Sequence, residues 1–157
     1  MTVNFDEKNI ENIFKEAEKV LLDLNNVSIV TYEDFNHETF DVHNKDFLNE
    51  IAQKPIVYCI WTGESNESLK YKYIGHVGKQ YSRQRLRNHL TKKHKKTGAQ
   101  LKNTILALKE KHVVGISYVV TEPHYMRKAL EDWLIEKHSE KLKWNKAGKT
   151  KSKKEKL

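Results

Sequence analysis

Ile56-Val57-Tyr58-Cys59-Ile60-Trp61, followed after nine residues by Tyr71-Lys72-Tyr73-Ile74-Gly75-His76-Val77, decides how this 157-residue chain folds. Both runs are short and rich in β-branched and aromatic residues, and the segment between them opens with the polar turn Thr62 to Ser68, so they predict an antiparallel hairpin. Downstream, Ser82 is placed to cap a helix from Arg83 to about Lys93. Gly98 opens a second helix through Leu101, Ile105 and Leu108, and Val113 to Thr121 reads as a third strand. Pro123 suits the first turn of a last helix carrying Met126, Ala129, Leu130, Trp133 and Leu134, with Leu142 beyond. The order strand, strand, helix, helix, strand, helix predicts an α+β fold with a small three-stranded antiparallel sheet flanked by helices.

Upstream of Pro55 the pattern differs. Ile10, Ile13, Phe14, Ala17, Val20, Leu21 and Leu24 recur at the spacing of one helical face, which predicts an amphipathic helix over Phe5 to Leu24. Val27 to Tyr32 reads as a strand and Asn44 to Gln53 as a short helix. These residues predict an N-terminal helical extension, 1–54, ahead of a main domain over 55–148 and a mobile basic tail over 149–157.

Charge separates the same parts. Residues 1–54 carry 12 acidic against 5 basic side chains, net −7, whereas 55–157 carry 9 against 24, net +15. Between Glu67 and Glu110 there are twelve Lys and Arg and no carboxylate, with Tyr71, Tyr73, Tyr81 and several histidines interleaved. Such a run calls for a counter-ion from outside, and polyanionic phosphate is the expected one. No apolar run is long enough for a membrane helix, the N-terminus lacks a secretory pattern, and the lone Cys59 excludes an internal disulfide. A chain outside the membrane, in the cytoplasm, is the expectation. Paired zinc histidines are not present at helical spacing, and Cys59 should face away from Tyr58 as a small buried residue.

Five elements in order carry a resemblance: Val57-Tyr58, Tyr73-Ile74-Gly75, Arg85 to Leu90 with His89, Ala129 to Ile135 with Glu131, and Trp144-Asn145. Together they resemble the GIY-YIG nuclease superfamily over about residues 55–148, although the first motif retains only its tyrosine, without the glycine of the name. The resemblance implies an endonuclease that hydrolyses phosphodiester bonds in DNA with a divalent metal, Mg²⁺ or its substitute Mn²⁺. It implies Tyr58 as general base toward a water, aided by nearby cations or a hydrogen-bonding partner, and Tyr73 as that partner or as the group orienting the water. Arg85 would clamp the phosphate with its planar guanidinium, His89, four residues on, would relay a proton or touch the phosphate, and Glu131 would bind the metal. A single carboxylate suits Mg²⁺, which takes the rest of its shell from water and phosphate.

Lys79, Arg83, Arg87, Lys92, Lys93 and the late Asn145 are the expected DNA contacts, and His76 flanks the same turn as Lys79. Because the module fills most of the chain, the layout is closest to the restriction endonucleases of the family, with phage and mobile-element nucleases next. Cutting a duplex with one site per chain calls for a homodimer, sequential cuts or a partner, and the acidic extension is the expected oligomer or specificity element. A non-catalytic nucleic-acid-binding or regulatory module on the same fold is the alternative.

Overall fold

The computed structural model describes residues 1–33, 36–91 and 99–145, with the backbone alone for 99–101. Lys92 and Lys93, two of the expected DNA contacts, and the basic tail 149–157 lie outside the described residues. The strands are β1 (Ser28–Ile29), β2 (Ile56–Gly63), β3 (Lys70–Val77) and β4 (Val113–Val120), and the helices α1 (Glu7–Leu21), α2 (His37–His43), α3 (Lys45–Ile51), α4 (Ser82–Thr91), α5 (Ala99–Lys109) and α6 (Met126–Lys137). None of the described helices is long and apolar enough to cross a membrane.

The fold is α+β with an antiparallel sheet, but the sheet has four strands in the order β1-β4-β2-β3, not the three expected. The extra strand comes from the N-terminal segment, where Ser28 pairs with Ile116, Ile29 with Gly115, and the Val30 N–H donates to the Val114 carbonyl at 2.8 Å. Periodicity near Val27 announces a strand but not its neighbour. The outer edge of β4 supplies that neighbour, since its backbone groups would otherwise lack partners. Gly115 makes the approach feasible, because a Cβ there would run into Val27 Cγ1.

β3 forms the opposite edge, and the C-terminal segment covers part of it. The Trp144 N–H donates to the Lys72 carbonyl at 3.0 Å. The Asn145 side chain accepts from the Ile74 N–H at 2.9 Å and donates to the Ile74 carbonyl at 2.8 Å. Asn145 is buried, so the residue expected to touch DNA instead satisfies the backbone of the strand that carries Tyr73 and Gly75.

Alternation along β2 divides the interior. Ile56, Tyr58 and Ile60 join Leu48, Ile51, Leu86 and Leu90 on one face, while Val57, Cys59 and Trp61 join Phe14, Leu21, Leu130 and Leu134 on the other. The second face needs α1 as a cover. Its buried line is Phe14 and Leu21, with Ile10 and Ala17 partly covered; Ile13, Val20 and Leu24 are exposed, so the packed stripe is narrower than the sequence pattern. A buried relay fastens the helix end: Ser117 Oγ donates to the Leu21 carbonyl at 2.6 Å and accepts from Trp61 Nε1 at 2.8 Å. Helix α2 has no readable stripe, with Phe40 buried and Val42 exposed, but Asn36 caps it by accepting from the Glu38 N–H at 2.8 Å. Helix α6 begins at Met126, three residues after Pro123, because Met126 N–H and Arg127 N–H first close turns onto the Pro123 and His124 carbonyls.

Helix α1 is also tied to α6 by charge. Glu18 accepts from Lys137 Nζ and from His138 Nε2, each at 2.9 Å. Burial opposes ionisation of Glu18, yet these two hydrogen bonds and their charges outweigh it and hold the carboxyl below its usual 4.5. A depressed folded-state value stabilises the fold above the unfolded value and loses that contribution as pH falls through the folded one. Chemical denaturation of Glu18→Gln should therefore show a deficit against wild type at pH 7 that shrinks as pH falls below 4.5 and through the folded value; a deficit independent of pH would contradict the assignment.

Candidate active site

Tyr58 sits at the centre of β2, paired across the sheet with Gly75 on β3 and Tyr118 on β4. Gly75 is required for close approach. A Cβ at that position would lie 2.7 Å from Tyr58 Oη and 2.8 Å from Tyr73 Cε1, so any side chain displaces both rings. Tyr73 packs against the same core as Tyr58, with ring centroids 6.0 Å apart.

Helix α4 buries Leu86 and Leu90, and this seating aims the residues between them. His89 Nδ1 lies 2.7 Å from Tyr58 Oη, and the rings are 6.0 Å apart. One turn earlier, Arg85 is exposed, and its guanidinium has no hydrogen-bond or ion-pair partner among the described residues. Arg85 and His89 therefore form one stripe running from open surface to the Tyr58 hydroxyl.

Helix α6 supplies Glu131 beside the buried Leu130 and Leu134. Its side chain is 16% exposed, and Oε2 lies 3.1 Å from His76 Nε2 on β3. Among the described residues Glu131 forms no ion pair with Arg127, whose Nη1 donates to the His124 carbonyl at 2.7 Å. Burial first and Asp132 second push the Glu131 carboxyl up to about 7, against the opposing pull of Lys128 and Arg127. The Glu131 charge also reaches both tyrosines and raises their values. Burial, then Arg127 and Lys128, hold the His76 ring below its ordinary value.

Tyr58, Tyr73, His89 and Glu131, scattered over 74 positions of sequence, thus converge around Gly75 and His76 of β3, with Arg85 one helical turn from His89. Tyr58 is fully buried and its hydroxyl is pushed well above 10, first by burial and then by Tyr73 and Glu131; no cation of the described residues figures among these influences. Of the two aids expected for Tyr58, the hydrogen-bonding partner is present twice over: His89 Nδ1 lies 2.7 Å from its hydroxyl, and the Tyr73 side chain hydrogen-bonds it as well.

The expected DNA contacts divide. Lys79 is exposed, but Arg87 Nη1 pairs with Asp41 Oδ2 at 2.9 Å, and Arg83 donates to Asn49 Oδ1 at 2.6 Å while lying 3.9 Å from Asp41. The carboxylate-free run therefore finds part of its counter-charge inside the chain, on the N-terminal segment. Sequence reasoning missed Asp41 because the contact spans 46 positions, and it treated His76 as a flanking residue because its partner is on another element.

Some groups can accept a divalent cation. Glu131 gains from a neighbouring positive charge because its own surroundings resist ionisation. Among the described residues no group of three or more His, Cys, Asp or Glu converges, so a cation there would draw on water and on substrate oxygens.

Two measurements probe these electrostatics. A carboxyl whose folded value is raised destabilises the fold as pH climbs from about 4.5 to about 7 and then no further. In chelator, Glu131→Gln should melt higher than wild type at pH 8, with the gain fading by pH 5; a constant difference would contradict this. Asp41→Ala leaves the Arg87 guanidinium, 20% exposed, without its anion. It should cost about 1–3 kcal/mol in urea unfolding.

No family model, curated protein or solved structure matches the chain.

Proposed function

We propose that the chain is a divalent-metal-dependent endonuclease of GIY-YIG type that hydrolyses phosphodiester bonds in double-stranded DNA. The observation that carries this reading is the Tyr58 hydroxyl, 2.7 Å from His89 Nδ1 and within electrostatic reach of Glu131, with the exposed Arg85 one helical turn from His89. Simple phosphate binding calls for cations alone; a semi-buried carboxylate and a tyrosine–histidine pair beside them suit bond cleavage.

In this mechanism a water attacks phosphorus and loses a proton to Tyr58 Oη, whose own proton passes to His89 Nδ1 along the existing hydrogen bond. The relay leaves no phenolate standing, which matters because burial makes one costly. Arg85 meets the charge that grows on the non-bridging oxygens, as a planar guanidinium does best. The bond from phosphorus to the leaving oxygen breaks, and that oxygen takes a proton from solvent. Glu131 would hold Mg²⁺ or Mn²⁺, which supplies Lewis-acid neutralisation of the phosphate and the leaving oxygen when bound. Tyr73 and Gly75 set the position of the Tyr58 ring. A restriction-type role, or a phage or mobile-element one, belongs to this reading, and duplex cutting would use two copies or two successive events.

A second reading, nucleic-acid binding without hydrolysis, is favoured by one observation: Tyr58 is closed off from solvent. Incubating supercoiled and linear DNA with wild type and Glu131→Ala, in Mg²⁺ and in chelator, separates the two. Metal-dependent cleavage abolished in Glu131→Ala and in Arg85→Ala is the expected result. Equal binding with no cleavage by any of the proteins would leave the second reading. Gly75→Ala should fold with a loss of about 1–3 kcal/mol and cut at least about tenfold more slowly, as both tyrosine rings shift; unchanged cutting would mean that the tyrosine placement is not used.

A further inference from the structure

In the mechanism above Glu131 is the single protein ligand, yet an imidazole nitrogen lies beside its carboxylate. His76 Nε2 and Glu131 Oε2 lie 3.1 Å apart, on strand and helix segments that pack together. Two adjacent ligands of one six-coordinate cation with bonds of about 2.1 Å are separated by about 3.0 Å. The observed spacing therefore equals the bite of a chelating pair as well as that of a hydrogen bond. The other ring nitrogen, Nδ1, is buried without a hydrogen-bond partner among the described residues. The carboxylate beside the ring is Glu131 itself, at Nε2; when a cation takes the Nε2 lone pair, the ring proton moves to Nδ1. Asp132, next in sequence, adds negative charge, and the Arg127 guanidinium is engaged by the His124 carbonyl.

We propose that His76 is a second protein ligand to the cation held by Glu131, making a mixed nitrogen and oxygen site that prefers Mn²⁺ or Co²⁺ over Mg²⁺. Magnesium favours all-oxygen shells and gives up water reluctantly, whereas an imidazole raises affinity for later divalent ions along the Irving–Williams order. The inference rests on the reading of Glu131 as a metal ligand and adds a residue and a selectivity to it.

The test uses the full-length protein without DNA. Calorimetric titration with Mn²⁺ and with Mg²⁺, and pulsed electron paramagnetic resonance of the Mn²⁺ form, are run on wild type, His76→Ala, His76→Gln and Glu131→Ala. Wild type should bind Mn²⁺ more tightly than Mg²⁺ and show nitrogen modulation from a bound imidazole. His76→Ala should lose that modulation and about tenfold in Mn²⁺ affinity, with little change for Mg²⁺. His76→Gln can still donate a hydrogen bond to Glu131 but has no ring nitrogen. If it restores wild-type Mn²⁺ affinity and selectivity, His76 only positions Glu131 and the proposal is overturned. Absence of the nitrogen signal in wild type, or no Mn²⁺ bound at millimolar concentration, overturns it as well. Unchanged Mn²⁺ affinity in Glu131→Ala would instead remove the carboxylate from the site and with it the metal assignment of the proposed function.

Discussion

Every residue of β2 from Ile56 to Thr62 is buried, and the strand is hydrogen-bonded on both sides, to β3 and to β4. A strand with no solvent face needs a layer of side chains above and below it. Helices α1 and α6 provide one layer and the α3–α4 side the other. The same alternation that points Val57, Cys59 and Trp61 toward α1 and α6 points Tyr58 the opposite way, toward α4 and His89. The position of the tyrosine hydroxyl is thus a by-product of filling two cores around one strand. Glu131 reaches the site because α6 must cover the other face, next to the edge strand that carries His76.

Charge segregation in the chain serves assembly as well as any ligand. The acidic N-terminal segment contributes Asp41 and Asn49 to Arg87 and Arg83, and Glu18 to Lys137 and His138. Each contact joins the segment before Pro55 to a helix after it, and Phe14 against Trp133, with ring centroids 5.6 Å apart, adds an apolar counterpart. What remains unpaired is informative. Arg83 and Arg87 are occupied, whereas Arg85, between them in sequence, lies on the other side of α4 and has no partner among the described residues.

The site holds groups in states that water would not favour. Glu131 resists ionisation, Tyr58 resists it further, and among the described residues the His76 ring lacks a partner for Nδ1. These are stability costs met by the packing of β2 and α6. Arrangements of that kind gather where a cation or a reacting phosphate supplies the missing charge.

Tyr58, Tyr73, Arg85, His89 and Glu131 were legible from motif order, and the hairpin, α4, α5, β4 and α6 from periodicity and turn residues, because those signals are local. The fourth strand, the narrowing of the α1 stripe, helix α2, the Asp41 contacts and the use of Asn145 on the β3 backbone were not, because each depends on a partner far along the chain. The sequence by itself determined the α+β class, the central hairpin and the residue types assembled at its end. Only the tertiary structure decided that Tyr58 is sealed against His89, that Glu131 faces His76, and that Arg83 and Arg87 pair with the N-terminal segment. Those outcomes follow from side chains competing for space and counter-charge around a strand buried on both faces, and no local pattern records that competition.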